Sequence, residues 1–151
     1  MNAKLIATSV LTVVLLAGCA AGNDRIKNLT TTEVNQIFSK PNVTRADLVQ
    51  ALGEPQIDKE GAEDGNQVLR FVWARSRPSA KNFIPLNLVK EFPTTKKVLE
   101  VTVDAKGNVI KHSFTGSFYV VRHPLVGENT VHSMRALEPE ELNSLSDPEE
   151  P

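Results

Sequence analysis

The stretch KVLEVTVDAKGNVIKHSF, residues 97–114, decides the fold. Leu99, Val101 and Val103 alternate with Glu100 and Thr102. That is the period of a strand with one buried face. Asp104-Ala105-Lys106-Gly107-Asn108 follows, with a glycine where a tight turn asks for positive φ. Residues 109–114 then return as the partner strand. The stretch therefore reads as an antiparallel hairpin. Working outward, VLRFVWA (68–74) is rich in strand formers and sends Leu69, Phe71 and Trp73 to one face. It supplies a third strand, and residues 56–59 lead into it. The glycine-containing segment 60–66, with Glu63 and Asp64, is expected to be an exposed loop. FYVV (118–121) reads as an edge strand.

Two short helices precede the strands. Thr30 and Glu33 have capping-box spacing, Leu29 and Val34 are placed for a hydrophobic staple, and Val34, Ile37 and Phe38 share one helical face. Lys40-Pro41 ends that helix. The pattern repeats with Thr44 as cap, Asp47 three residues on, an apolar face of Leu48, Val49 and Leu52, then Gly53 and Pro55 as stop signals. Helices of about two turns are unstable alone, so they must pack on the sheet. The fold class read from this order is α+β: two short N-terminal helices packed on a three-stranded antiparallel sheet. Leu52, Phe71, Leu99 and Val101 are expected in the core where helices meet sheet.

The chain has one cysteine, in VVLLAGCAAG (13–22). Residues 1–18 carry a single charge, Lys4, before an apolar run of about a dozen residues, too short for a bilayer core that needs about twenty. A positive start, a short apolar centre and small residues are the layout of a secretory signal. Leu16-Ala17-Gly18-Cys19 resembles the lipobox of bacterial lipoproteins. That resemblance implies cleavage between Gly18 and Cys19 and a covalent lipid on Cys19, with no other cofactor. Ala20 after the cysteine implies passage to the outer membrane. A lone thiol in an exported chain is otherwise free to oxidise, and lipidation removes it. The organisation expected is a signal peptide over 1–18, a lipidated tether over 19–29, a domain over 30–121 and a polar tail over 122–151, disordered from about 146. Without Lys4 the chain has 16 basic and 18 acidic side chains, a balance that gives no reason to expect nucleic acid as a partner.

Residues 75–96 form a long connection with three prolines, and they carry Phe83, Ile84, Leu86, Leu88, Val89 and Phe92 among Arg75, Arg77, Lys81, Lys90 and Lys96. Long ordered connections are often functional. Two readings stand side by side: a loop folded back over a sheet edge, or a partner-binding surface that includes Phe83, Ile84 and Leu86. An apolar centre with a charged rim suits the second. His112, His123 and His132 lie at no metal-ligand spacing. No serine, histidine and acid are spaced to suggest a catalytic set, and there is no phosphate-binding glycine loop. Trp73 is expected in the core, and Asp104 and Asn108 in turn chemistry. No catalytic residue, metal ligand or enzymatic activity is expected.

NVTRADLVQALGEP (42–55), with its capped helix ending in Leu-Gly-x-Pro, resembles the opening of the SmpA/OmlA family, the BamE-like lipoproteins. The tryptophan-bearing strand at 71–74 and the strand, Asp-x-x-Gly turn and strand at 99–113 are similar to that family's later elements. The likeness covers about 32–114. It implies a BamE-like or BLIP-like ααβββ arrangement, attachment to the outer membrane facing the periplasm, and envelope proteins as partners, β-barrel assembly machinery among them. Residues 23–32 depart from the family's partner-binding segment. The expected function is an accessory or scaffold lipoprotein in envelope protein assembly. The alternative is a small-ligand, lipid or inhibitor-type binding module on the same fold.

Overall fold

The structure is a computed structural model that describes residues 19–60 and 65–144. The expectations for the signal segment 1–18 with Gly18, for Glu63 and Asp64, and for the chain end from 146 lie outside the described residues. The elements run β1 (Cys19–Gly22), α1 (Asp24–Asn28), α2 (Thr31–Phe38), α3 (Arg45–Leu52), β2 (Ile57–Glu60), β3 (Gln67–Ser76), a 3-10 turn (Ala80–Phe83), β4 (Val89–Val103), β5 (Val109–Pro124), β6 (Thr130–Ala136) and α4 (Pro139–Asn143).

All strands join one antiparallel sheet in the order β1-β3-β4-β5-β6. Strand β2 shares the outer edge of β3 with β1: Ile57–Glu60 pair with one half of β3 and Cys19–Gly22 with the other. The sheet is thus five strands wide and the described fold is mostly β, with three short helices before β2; this corrects the α+β arrangement of two helices on a three-stranded sheet expected from sequence. Two of the additional strands carry no apolar alternation. CAAG is built of small residues and forms β1 by pairing with the open backbone of β3. Nearly every side chain of β6 is exposed, so no buried face marks it. Backbone pairing seats both in the sheet, and pairing leaves no trace in side-chain pattern.

The central hairpin is as expected in its turn and longer in its arms. Gly107 has φ 84, and Asp104 accepts hydrogen bonds from the amides of Lys106 and Asn108 at 2.9 and 2.8 Å. Strand β4, however, begins at Val89 and runs through Pro93. The proline is tolerated because its carbonyl, and therefore its missing N–H, faces the β3 side beyond Ser76, the last β3 residue in register.

Both capping boxes form. The Thr30 amide donates to Glu33 at 2.9 Å and the Thr44 amide to Asp47 at 2.9 Å, each answered by the return bond to the threonine hydroxyl. Gly53 closes α3 with φ 83. Helices α1, α2 and α3 bring Ile26, Leu29, Val34, Leu48 and Leu52 against Leu69, Phe71, Trp73, Leu99, Val101 and Val103 of the sheet. Each such side chain contributes about 1.5–3 kcal/mol when fully buried. The four expected core residues are all buried, and Trp73 is with them.

Two segments read as peripheral belong to the fold. Residues 19–29 are not a tether: they form β1 and α1, with Ile26 fully buried. The Arg25 guanidinium donates to the carbonyls of Gln50 and Ala51, and the Asn23 amide group to that of Leu52, at 2.5–2.9 Å. A single buried isoleucine among charged residues gives no periodic signal, which is why composition suggested a tether. Residues 122–144 are likewise not a free tail. Leu137 and Leu142 pack on Phe118 and Val120 in a second small core. Gly116 makes room for them, since a Cβ there would meet Leu137 and Leu142 side chains at 2.6 and 2.9 Å.

The Arg135 guanidinium donates to both carboxylate oxygens of Glu141 at 2.7 and 2.6 Å and tethers α4 to β6. Together with the Glu138 amide it holds the Glu141 carboxyl down at about 2. A depressed carboxyl contributes stability above its ordinary value and loses it as pH falls through the folded value. The difference in urea midpoint between wild type and Glu141→Gln is therefore expected to be full near pH 6 and to shrink steadily from about pH 4 towards pH 2. A difference independent of pH over that range would show that the ion pair does not contribute.

Candidate functional site

The long connection resolves into three parts. Arg75 and Ser76 end β3, residues 77–88 form the link proper, and residues 89–96 open β4. The link covers the edge of β4 that β3 leaves open beyond Ser76, as the first of the two readings expects. It folds back on β4 and is held there by its own polar groups. The Arg77 amide donates to Pro93 O at 3.0 Å and the Ser79 amide to Glu91 O at 2.9 Å. Asn82 accepts from the Glu91 amide and donates to its carbonyl, at 2.6 and 2.7 Å. The Asn87 side chain donates to Lys81 O at 2.6 Å and accepts from the Val89 amide at 3.1 Å. Lys90 reaches Asn82 O at 2.6 Å. Asparagines with both amide ends engaged fix a loop as firmly as a short ladder does.

The apolar side chains of this fixed loop point outward. Phe83 is 64% exposed, Ile84 58%, Leu86 94% and Leu88 63%. Leu86 also has φ 64, in the left-handed region. For a leucine that conformation costs about 1–2 kcal/mol. An asparagine or glycine there would be cheaper and more soluble, so neither packing nor backbone geometry accounts for the residue.

The turn from β5 to β6 adds to the same end. Val89 pairs with Pro124, and the Leu125 amide donates to Leu88 O at 2.9 Å. Leu125 is 78% and Val126 89% exposed. Sequence reasoning missed these two by placing them in a polar tail. The available signal was the pair Leu-Val between Pro124 and Gly127, two large apolar residues in a turn that needs neither. The far end of the long hairpin is thus an apolar tip.

Charge surrounds it. Glu91 is nearly buried behind the loop, where burial opposes ionisation but the Arg122 guanidinium at 2.8 Å and the Lys81 ammonium at 3.4 Å prevail and hold its carboxyl below the usual range. Beside the tip an open recess of about 380 Å³ is lined by Ser76, Lys90, Phe92, Val121 and His123. His123 meets the edge of Phe92 at 5.0 Å between ring centres.

The structure does not bring the three histidines together. His112 stacks on Phe38 at 4.0 Å near the hairpin turn, and His123 lies eleven residues further along the same strand, about 35 Å away at the usual rise. His132 sits on β6 opposite Val120. Among the described residues no three side chains gather that could hold a metal ion. Among the described residues Lys97 is the one buried lysine, and burial lowers its pKa. Its ammonium donates to Lys27 O and Ser144 O at 3.1 and 3.3 Å, clamping α1 and the end of α4 to β4. A nucleophilic lysine needs an open pocket, and Lys97 faces two carbonyls instead. No described helix is long and apolar enough to cross a membrane. No family model, curated protein or solved structure matches the chain.

Proposed function

We propose that the chain is a non-enzymatic lipoprotein, anchored in the outer membrane by lipid on Cys19, facing the periplasm and serving as an accessory or scaffold in envelope protein assembly. One observation carries the reading. The lipobox cysteine is the first residue of β1, opposite Ser76, so an anchor there joins the sheet edge with no linker between. A domain held in this way stays at the membrane surface, within reach of envelope partners. The helices occupy one face of the sheet. The other face, with Val72, Val98 and Tyr119 half-exposed, is the surface such a partner would meet.

The test is acyl labelling. Cys19→Ser is expected to abolish incorporation of labelled fatty acid and to leave the precursor uncleaved by the lipoprotein peptidase. Normal labelling of that variant would sink the reading. Mild cross-linking of membranes followed by co-purification would then identify the partner. The ligand-module reading is favoured by the recess at Phe92 and Val121, and saturable binding of a small apolar ligand that is lost in Val121→Asp would support it.

A further inference from the structure

We propose that the tip formed by Phe83, Ile84, Leu86, Leu88, Leu125 and Val126 inserts into the lipid surface, as a second attachment point beside Cys19. Three observations converge on a bilayer as the occupant. The first is the exposed apolar surface, gathered at one end of the sheet on a hydrogen-bonded loop that keeps a strained leucine outward. Clustered exposed apolar side chains mark an interaction surface. The second is position. Strand β1 runs antiparallel to β3 and starts opposite Ser76, so Cys19 lies at this end of the sheet. Strand β4 continues past Ser76, from Thr94 to Val89, about 17 Å at the usual rise. The tip and Cys19 are therefore on the same side of the domain, displaced along and across the sheet. The third is charge. Arg77, Lys81, Lys90 and Arg122 lie at the base of the tip, against Glu91 and Glu128, and a basic collar behind apolar side chains suits an anionic headgroup layer.

A protein partner for the tip lacks the positional argument. It would have to enter the narrow space between the domain and the membrane to which Cys19 is held. Two attachment points also have a consequence that one does not. A lipid on Cys19 alone leaves the domain free to swivel, whereas the second point fixes the tilt of the sheet. The direction in which the uncovered face presents itself to envelope proteins is then set by the tip. The orientation and the positional argument rest on the anchored reading, whereas the exposed apolar tip and its basic collar do not.

The experiment uses a chain from residue 19 onward with Cys19→Ser, made without lipid. Every buried side chain of both cores lies between Ile26 and Leu142, so this chain carries the whole described fold. It is sedimented with vesicles of phosphatidylethanolamine containing phosphatidylglycerol. Wild type is expected to partition to the vesicles. The triple variant Phe83→Ser, Leu86→Ser, Leu125→Ser should lose roughly tenfold or more in partition while its urea midpoint holds, because the three side chains are exposed. The control Ile110→Ser, Met134→Ser removes two exposed apolar side chains elsewhere and should stay within roughly twofold of wild type. Failure of wild type to bind at millimolar lipid, or equal binding by wild type and triple variant, would overturn the proposal. A triple variant that binds vesicles normally but loses a cross-linked envelope protein would overturn it too, by making the tip a protein site. None of these outcomes depends on acylation, so the anchored reading stands or falls separately on the labelling of Cys19.

Discussion

Leu99→Ala is expected to destabilise the protein by about 2–5 kcal/mol, while Glu100→Ala, one residue on, should cost no more than about 1 kcal/mol. Leu99 is fully buried opposite Phe71, at the centre of the cluster that helices and sheet share. Its removal opens a cavity between rigid strands that cannot close around it. Glu100 faces the uncovered side of the sheet and accepts two bonds from Arg70, at 2.7 and 2.5 Å. Both side chains are about two-fifths exposed, so solvent screens the pair and little is lost with it. Urea unfolding with a common slope measures both. A stability near 5–15 kcal/mol is usual for a domain of this size, so the first variant should shift the midpoint strongly. A larger shift for Glu100→Ala than for Leu99→Ala would mean that the helices cover the opposite face of the sheet.

The same two residues show what can be read from a sequence. Leu99 and Glu100 were assigned to opposite faces by alternation alone, because a half-buried strand writes its environment into every second residue. The capping boxes at Thr30 and Thr44 were legible for a similar reason: each needs a particular side chain at a particular offset. Strands β1 and β6 were not legible. Their hydrogen bonds use backbone that any residue supplies, and the side chains of β6 meet mostly solvent. Helix α1 has a single buried anchor, Ile26, and the rest of DRIKN reads as linker. The unseen elements are those whose residence in the fold is decided by the partner strand or helix and not by their own pattern.

The tip was half legible for the same reason. Phe83, Ile84 and Leu86 stood out by composition, but composition does not say whether apolar side chains in a loop point in or out. The asparagines settle the direction. Asn82 and Asn87 tie the backbone of the loop to itself and to β4, which leaves the large side chains outside. Leu125 and Val126 join them only because β4 and β5 extend together to Val89 and Pro124, a length that Pro93 obscured. Lys97 was invisible as a structural clamp because its two acceptors are backbone carbonyls, at residues 27 and 144.

Gly22→Ala should have the second large effect, confined to one edge of the molecule. Gly22 has φ 105, which L side chains rarely adopt, and an added Cβ would overlap the carbonyl oxygen of Val72. That oxygen accepts from the Asn23 amide at 2.8 Å, so it cannot move aside without breaking the junction between β1 and α1. Positive φ alone costs an alanine about 1–2 kcal/mol, and overlap with fixed backbone adds about 1–3 kcal/mol more. Four residues of edge strand cannot outweigh that sum, whereas the main core, seated on β3, β4 and the helices, can. The expected outcome is local: β1 leaves the sheet, amide protection disappears over Cys19–Gly22 and weakens over 73–76, and the amides of α3 and central β4 keep theirs. Under the proposed anchoring at Cys19, the detached strand becomes a flexible link between lipid and domain. Cross-linking of the domain to its membrane neighbours should then become less selective, with acylation of Cys19 unchanged. Full protection of β1 in the variant would show that the glycine is not needed. Loss of protection throughout the sheet would show that β1 belongs to the folding core and not to its edge.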